Sequence, residues 1–382
     1  MVITMKNTFA IKNARVYRTD MRDFAPATVI VEDGKIKSLL AANACVCELD
    51  TVDGTGCLLA PGLVDTHTHG RIGYDFDSAT VEQMKAMRRS YAEDGTTTVF
   101  ATIASAPLAQ IEEAIDNIRE AGYGCIHLEG RYLNSKRRGA HRADLLFPLD
   151  VTEFSTLLDR MAGMNIHITC AAELEGGEAF VKCAIEHGAT VSLGHTDATF
   201  EEALDAVSWG VNSFTHTFNA MRPIHHREPG PVVAALTTEG VYAEVIADGF
   251  HLNPAIVKLS YLAKRPSHLT LITDSMSATR CADGEYAIAG EKVYVVGGKA
   301  INEEGNISGS TITLYQAVRN LMKFAGVSFA EALAYATIVP ATEVGIDGIT
   351  GSIDAGKTAD LLLIDEQTLD IKSVWQAGEA VL

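Results

Sequence analysis

The sequence predicts an α/β fold: a (β/α)8 TIM-like barrel with a small β-sandwich domain built from both chain termini. In the middle of the chain, eight short β-rich runs alternate with helical stretches at intervals of roughly 21–45 residues. Parallel strands need such helical crossovers. Strand-like segments recur at both ends, and polar residues follow the central runs. A doubly wound open sheet remains the structural alternative, because periodicity alone does not distinguish the two.

The eight runs are rich in aliphatic and β-branched residues, as buried parallel strands are. They are Leu58–Val64, Thr96–Ile103, Gly124–Leu128, Ile166–Ala171, Thr190–Leu193, Ser213–Thr215, Tyr242–Ala247 and Leu269–Thr273. Between them, the 3.6-residue pattern predicts helices, for example over Glu82–Asp94, Ala109–Ala121 and Phe200–Val207. The length of 382 residues suits one large barrel with an appendage.

Both ends of the chain carry short strand patterns. Thr28–Val31 and Ile36–Leu40 flank Asp33-Gly34, which is a hairpin signal. Near the other end, an apolar run follows Asp360, and a second begins at Ile371. We therefore expect residues 1–57 and 346–382 to form one discontinuous β-sandwich domain around a central barrel of residues 58–345.

Composition excludes several classes of protein. Hydrophobic residues make up 47% and the formal net charge is −18, so the chain has a large core and few cations for nucleic acid or an anionic membrane. No uncharged apolar run approaches the roughly 18 residues of a membrane span. The first residues lack a signal peptide's layout, and the seven cysteines contain no Cys-x-x-Cys pair. We expect a cytoplasmic protein whose cysteines are free, mostly structural thiols.

Polar residues at the ends of the predicted strands are the strongest functional signal. The carboxyl ends of parallel barrel strands face one rim, so these side chains converge there. In a His-x-His segment, both rings of an extended chain point the same way. Three His or carboxylate ligands with an open position are typical of catalytic zinc. The residues, in strand order, are His67, His69, Glu129, His195, His216, Asp248, His251 and Asp274.

At these residues the sequence resembles the amidohydrolase superfamily and, within it, the N-acetylglucosamine-6-phosphate deacetylase family. The resemblance covers nearly the whole chain. The matching segments are Pro61-Gly-Leu-Val-Asp-Thr-His-Thr-His-Gly70, His127-Leu-Glu-Gly130, Leu133-Asn134, Gly139-Ala-His141, Leu193-Gly-His-Thr-Asp-Ala198, Thr215-His-Thr-Phe-Asn-Ala-Met221, Arg227-Glu-Pro-Gly230, Ile246-Ala-Asp-Gly-Phe-His251, Ile272-Thr-Asp-Ser-Met276, Gly305-Asn-Ile-Ser-Gly-Ser310 and Gly351-Ser-Ile-Asp-Ala-Gly-Lys-Thr-Ala-Asp-Leu361.

The resemblance implies a site for one or two divalent metal ions per chain. Glu129, His195 and His216 match the family's metal ligands. His67 and His69 match the pair that holds a second ion in part of the family. Zinc is the expected metal, with iron, manganese or cobalt as alternatives.

The resemblance also assigns substrate contacts and catalysis. Asp274 matches the catalytic aspartate, His251 the residue that contacts the acetamide, and His141 a sugar contact. The phosphate-binding positions correspond to Asn219, Ala220 and Arg227. Arg131 stands where the family usually has proline, and a long cation beside the metal-ligand loop is expected to affect which substrate fits.

The implied reaction is metal-dependent hydrolysis of N-acetylglucosamine 6-phosphate to glucosamine 6-phosphate and acetate, in amino-sugar catabolism. One alternative is the epimeric N-acetylgalactosamine 6-phosphate, since one hydroxyl separates the two. Another is a different amidase of the superfamily, against which Arg227-Glu-Pro-Gly230 argues. A third is an inactive member acting as an interaction protein, which would have lost ligands. A homodimer is implied by the resemblance only.

Overall fold

The computed structural model describes residues 8–288 and 291–382. The first seven residues, on which the expectation about a signal peptide depends, lie outside it. The strands belong to several different sheets. In chain order they are β1 Thr8–Lys12, β2 Arg15–Arg18, β3 Asp23–Glu32, β4 Lys35–Ala41, β5 Asp50–Asp53, β6 Cys57–Pro61, β7 Leu63–Thr68, β8 Gly70–Arg71, β9 Tyr74–Asp75, β10 Thr96–Ile103, β11 Cys125–Glu129, β12 Asn165–Cys170, β13 Thr190–Leu193, β14 Ser213–Phe214, β15 Tyr242–Ile246, β16 Leu269–Ile272, β17 Gly284–Ile288, β18 Glu291–Val296, β19 Lys299–Asn302, β20 Leu361–Asp365, β21 Ile371–Gln376 and β22 Glu379–Ala380.

Helices follow most of the central strands. They are α1 Val81–Glu93, α2 Leu108–Glu120, α3 Val151–Met161, α4 Gly177–Glu186, α5 Phe200–Trp209, α6 Gly230–Thr237, α7 Pro254–Lys264, α8 Leu314–Leu321, α9 Phe329–Ala334 and α10 Ile338–Glu343. Short 3₁₀ turns cover Ser135–Arg137 and Ala143–Leu145, and a π-helical turn covers Met322–Gly326. Thr80 and Thr199 each begin a helix with a reciprocal capping box.

Eight parallel strands form the predicted (β/α)8 barrel, in the order β7, β10, β11, β12, β13, β14, β15, β16. The last strand returns to the first at the rim, where the Asp274 backbone N–H donates to the His67 carbonyl at 2.9 Å. Thr68 and Ser275 also form a parallel bridge there. This closure places the end of β7 directly beside the residues that follow β16.

The chain termini build a separate nine-stranded mixed sheet from β1–β6 and β20–β22. Strand β3 pairs with β2 through its first half and with β1 and β4 through its second, so the sheet has two halves. These halves pack over a shared core, in which the rings of Phe9 and Trp375 lie 6.1 Å apart. The predicted hairpin is present, with Asp33 and Gly34 at φ of 49° and 75°, as its turn requires.

The predicted first run, Leu58–Val64, is divided between the two sheets. Cys57–Pro61 pairs antiparallel with β20 in the terminal sheet, whereas Leu63–Thr68 is the barrel strand. Gly62 lies between them, and a Cβ there would come within 2.1 Å of the Thr97 hydroxyl. Because both halves of this run are buried, its continuous apolar pattern gives no sign that the chain passes from one sheet to the other.

One substructure was not predicted. Strands β17, β18 and β19 form a three-stranded antiparallel sheet inserted between β16 and α8.

No helix in the described ranges, 8–288 and 291–382, is long and apolar enough to cross a membrane.

Candidate active site

Five of the predicted residues meet at the rim of the barrel, where the strands end. His67 lies in β7, Glu129 is the last residue of β11, and His195, His216 and Asp274 each stand two residues beyond a strand. Their exposed fractions are between 0% and 8%. The convergence follows from the parallel barrel, which directs all eight strand ends to one face.

Glu129 lies at the centre and has a different set of neighbours at each oxygen. Its Oε1 is 3.2 Å from His195 Nε2 and 3.0 Å from His216 Nε2. The two Nε2 atoms are 3.2 Å apart. Three donor atoms therefore face one point, which we call the first pole.

The other oxygen of Glu129 faces a second group, the second pole. Glu129 Oε2 lies 3.3 Å from His67 Nε2 and 3.0 Å from His69 Nε2. Asp274 Oδ1 completes this group, 3.3 Å from His69 Nε2 and 3.6 Å from His67 Nε2. A single carboxylate thus bridges two groups of donors.

The donor atoms fit a divalent metal. His195 Nδ1 lies 2.9 Å from the Arg137 carbonyl, which can only accept, so Nδ1 carries a proton and Nε2 is the nitrogen that would bind a metal. Ligand atoms around a tetrahedral ion with bonds of 2.0–2.2 Å are separated by about 3.3–3.6 Å. The separations at the first pole, 3.0–3.2 Å, are close to that span.

The backbone at these residues is strained. His195, His216 and Asp274 have φ values of 50°, 30° and 48°, in the left-handed region that β-carbons disfavour. Such conformations cost on the order of 1–3 kcal/mol each and concentrate at functional sites. The strain turns each side chain inward just beyond its strand.

The charges in the cluster shift one another's pKa values. Burial opposes ionisation of Asp274, but the imidazoles of His69 and His67 outweigh it and lower the pKa to about 2. Burial likewise opposes the charge on Glu129, yet the surrounding histidines hold its pKa well below the usual range. Both carboxylates are therefore ionised at neutral pH, as metal ligands and a general base must be.

Both poles open into a cavity of about 330 Å³. Most of the predicted site residues line it, whereas His67 lies beneath His69 and is fully buried. The predicted residues in the lining are His69, Glu129, His141, His195, His216, Asn219, Ala220, His251 and Asp274.

Two histidines on the wall of the cavity are held in place through Nδ1. His251 Nδ1 lies 2.7 Å from Asp248 Oδ2, so its Nε2 faces the cavity. His141 Nδ1 lies 2.9 Å from the Ser105 hydroxyl. Burial and the nearby His195 lower the pKa of His141 to about 4, which keeps this ring neutral at pH 7.

Arg227, an expected phosphate contact, and Arg131, which stands in place of the family's proline, both lie outside the lining of this cavity. Arg227 is exposed, is absent from the lining of this cavity, and its guanidinium lies 2.8 Å from the ring of His226. Arg131 points away from the cavity: it binds both carboxylate oxygens of Glu153 and lies 4.1 Å from the ring centre of Phe147. The expectation that Arg131 affects which substrate fits is therefore not supported by its position.

Part of the cavity wall was missed in the sequence. Ile288, at the end of β17, and residues 306–309 line it. The Ser308 hydroxyl is buried and has no hydrogen-bond partner among residues 8–288 and 291–382, so it is available to a ligand. In the sequence this segment is only part of a motif, because no local pattern shows that an inserted sheet reaches the rim.

The comparisons with known proteins agree with this site. The fold and the donor cluster are those of a barrel hydrolase of the metal-dependent Amidohydrolase family, whose sequence profile matches residues 58–381. The chain belongs to this family and, within it, to the N-acetylglucosamine-6-phosphate deacetylases.

Of three similar proteins, two are N-acetylglucosamine-6-phosphate deacetylases and one is named for the galacto epimer. N-acetylgalactosamine-6-phosphate deacetylase of Escherichia coli O157:H7 is 32% identical over 91% of this chain and 93% of its own. N-acetylglucosamine-6-phosphate deacetylase of Bacillus subtilis (strain 168) is 34% identical over 85% of each chain. The Mycobacterium smegmatis enzyme, solved as an aspartate-to-alanine mutant with N-acetyl-D-glucosamine-6-phosphate, is 30% identical, with a TM-score of 0.91 over 99% of this chain and 100% of that one.

Proposed function

We propose that the protein hydrolyses the acetamide of N-acetylglucosamine 6-phosphate and releases glucosamine 6-phosphate and acetate. The observation that carries this proposal is the carboxylate of Glu129, bridging two groups of buried donors beneath a cavity large enough for a sugar. The named activities of the relatives supply the substrate class.

Glu129, His195 and His216 would hold a divalent metal, which when bound would supply a Lewis acid for activating water and polarising an amide carbonyl. Asp274, ionised and at the edge of the cavity, accepts the proton of the attacking water and passes it to the departing amine. An amine leaves poorly unless it is protonated, so one carboxylate serves both steps. His251, held by Asp248 through Nδ1, presents Nε2 to the carbonyl oxygen as charge develops there.

The phosphate needs local donors because the chain carries a net charge of −18. We assign this role to Asn219 and Ala220, which line the cavity, and to Arg227 on the exposed loop that follows them. The side chain of Asn219 donates to the carbonyl of His216 at 3.1 Å, which fixes its orientation at the rim. His141 is assigned to the sugar.

The test is amine release from N-acetylglucosamine 6-phosphate, from its galacto epimer and from unphosphorylated N-acetylglucosamine. We expect kcat/KM to be highest for the first and lowest for the sugar without phosphate. The galacto epimer is the second candidate substrate, because the Escherichia coli O157:H7 relative is named for it. A higher kcat/KM on that epimer would reassign the substrate, and release from neither phosphate would contradict the proposal.

The first pole is proposed to hold zinc, with iron, manganese or cobalt as alternatives. We expect His195→Ala, and equally Glu129→Ala and His216→Ala, to lose this ion in elemental analysis. Full wild-type content in all three variants would contradict the assignment. His67 and His69 are proposed to hold a second ion with Glu129 bridging, and a single anomalous peak after metal saturation would argue against that ion.

The resemblance further leads us to propose a homodimer, which light scattering of the purified chain would test. We also propose a cytoplasmic location, because all seven cysteines are free thiols, as is usual in a reducing compartment.

A further inference from the structure

A second cluster of possible metal ligands lies inside the barrel, below the rim. It consists of His167 in β12, Glu244 in β15 and Glu343 at the end of α10, the helix that packs against β7 and β16. Their exposed fractions are 0%, 0% and 1%. We call these three residues the floor cluster; none of them is a donor at either pole of the rim.

The imidazole and the first carboxylate of the floor cluster face each other. His167 Nδ1 lies 2.8 Å from the Thr190 hydroxyl, which also lies 3.4 Å from the Ile166 carbonyl. On the other side of the ring, His167 Nε2 lies 3.2 Å from Glu244 Oε1. This nitrogen and this oxygen are the atoms that the pair can offer to one cation.

The second carboxylate of the floor cluster is that of Glu343, and its two oxygens differ in their hydrogen bonding. Glu343 Oε2 accepts from the Thr270 hydroxyl, but within residues 8–288 and 291–382 its Oε1 has no hydrogen-bond partner. The buried hydroxyl of Ser213 is also unpartnered in that part of the chain. It lies close enough to Glu343 to lower the pKa of that carboxyl, which burial and the charge of Glu244 together hold well above its usual range.

The two carboxylates differ in their basic neighbours. Neither forms an ion pair with lysine or arginine in the ranges 8–288 and 291–382, but Glu244 lies 3.2 Å from His167 Nε2 and 3.8 Å from His67 Nδ1. Glu343 has no ion pair of either kind in those ranges. Burying charge without compensation is costly, so a cation or a proton must accompany Glu343. The mutual distances of the three donor atoms, all within 4.8 Å, are only slightly above the about 4.0–4.4 Å that separates ligands on opposite sides of an ion.

We propose that the floor cluster binds a divalent cation through His167 Nε2, Glu244 Oε1 and Glu343 Oε1, with the Ser213 hydroxyl as a further donor. One imidazole with two carboxylates suits zinc or manganese rather than calcium. The ion ties α10 to β12 and β15. It also fixes Glu244, whose Oε2 accepts from the backbone N–H of His216, a ligand at the rim.

The first experiment is anomalous diffraction from wild-type crystals saturated with Zn²⁺ near neutral pH. We expect a peak among His167, Glu244 and Glu343, separate from the peaks at the rim. Peaks at the rim with none at the floor would overturn the proposal. A short oxygen–oxygen contact between Glu244 and Glu343 would then show that the pair shares a proton instead.

The second experiment counts ions without using activity. In a His195→Ala, His216→Ala background, which removes two donors of the first pole, Glu343→Gln is expected to lower the zinc retained after desalting by about one ion per chain. The matched control, Glu379→Gln, removes a charge from an exposed residue of β22 and should lower it by none. Equal zinc content in the two variants would overturn the proposal, whether or not the rim performs deacetylation.

Discussion

The rim and the floor of the barrel use the same kinds of side chain in different surroundings. At the rim, His69, Glu129 and Asp274 face a cavity of about 330 Å³. At the floor, His167 and Glu244 are fully enclosed by the barrel. An open position next to a metal allows a substrate to enter, whereas a closed donor set can only hold an ion. The comparison assigns turnover to the rim and stabilisation to the floor.

The largest expected effect is at the rim, in Asp274→Asn. This change keeps the shape of the side chain but removes proton transfer, which is worth about 10²–10⁴-fold in rate. We expect a loss of kcat in the upper part of that range, since the amine must be protonated to leave. The measurement is kcat, substrate affinity and metal content on one preparation.

Metal at the first pole should remain in that variant, because Asp274 belongs to the second pole. A kcat within about tenfold of wild type, with metal retained, would remove Asp274 from the mechanism.

The next effect separates substrate binding from chemistry. Losing a charge-assisted contact to phosphate costs on the order of 2–4 kcal/mol, or roughly 30- to 1,000-fold in kcat/KM. We expect Arg227→Ala to show this loss on N-acetylglucosamine 6-phosphate and little change on the sugar without phosphate. Equal losses on both would mean that Arg227 supports the fold only.

At the floor, we expect Glu343→Gln to change stability rather than turnover. A ligand present at 100 times its dissociation constant stabilises a protein by about 2.7 kcal/mol. On chelation, wild type should therefore lose about 2–3 kcal/mol more of its free energy of unfolding than Glu343→Gln does. Denaturant titration measures this difference, and identical losses would place no ion at the floor.

The smallest effect concerns the orientation of a rim side chain. Asp248 contacts His251 at 2.7 Å and acts through it. Removing a side chain that orients a histidine of a site through a hydrogen bond typically lowers activity by about 10- to 100-fold. We expect Asp248→Asn to lower kcat by that amount with KM little changed, and to alter the pH profile of kcat. An unchanged profile would mean that Asp248 only shapes the loop.

The rim was predictable from the sequence because its signal is local. His195, His216 and Asp274 each follow a short apolar run, and the parallel barrel brings such positions together. The floor was not predictable in this way. His167 and Glu244 are single polar residues within buried strands, and Glu343 joins them from a helix far along the chain. Only the packed barrel shows that the three meet.

The direction in which the long side chain of Arg131 points could not be predicted from the sequence either. Arg131 has a φ of 64°, which turns it toward Glu153 rather than toward the cavity. Similarly, Ser308 reaches the cavity because the inserted sheet of β17, β18 and β19 precedes it. Both outcomes depend on the tertiary position of a segment that sequence periodicity does not report.

The most direct test of the account is the rate of acetate release from N-acetylglucosamine 6-phosphate during a metal titration. Wild-type protein is stripped of metal and then titrated with Zn²⁺, and His195→Ala is treated identically. The account predicts that the stripped wild type is inactive, that its rate rises with bound metal and then saturates, and that His195→Ala stays inactive. Full activity in the metal-free protein, or restoration of His195→Ala to the wild-type rate, would contradict it.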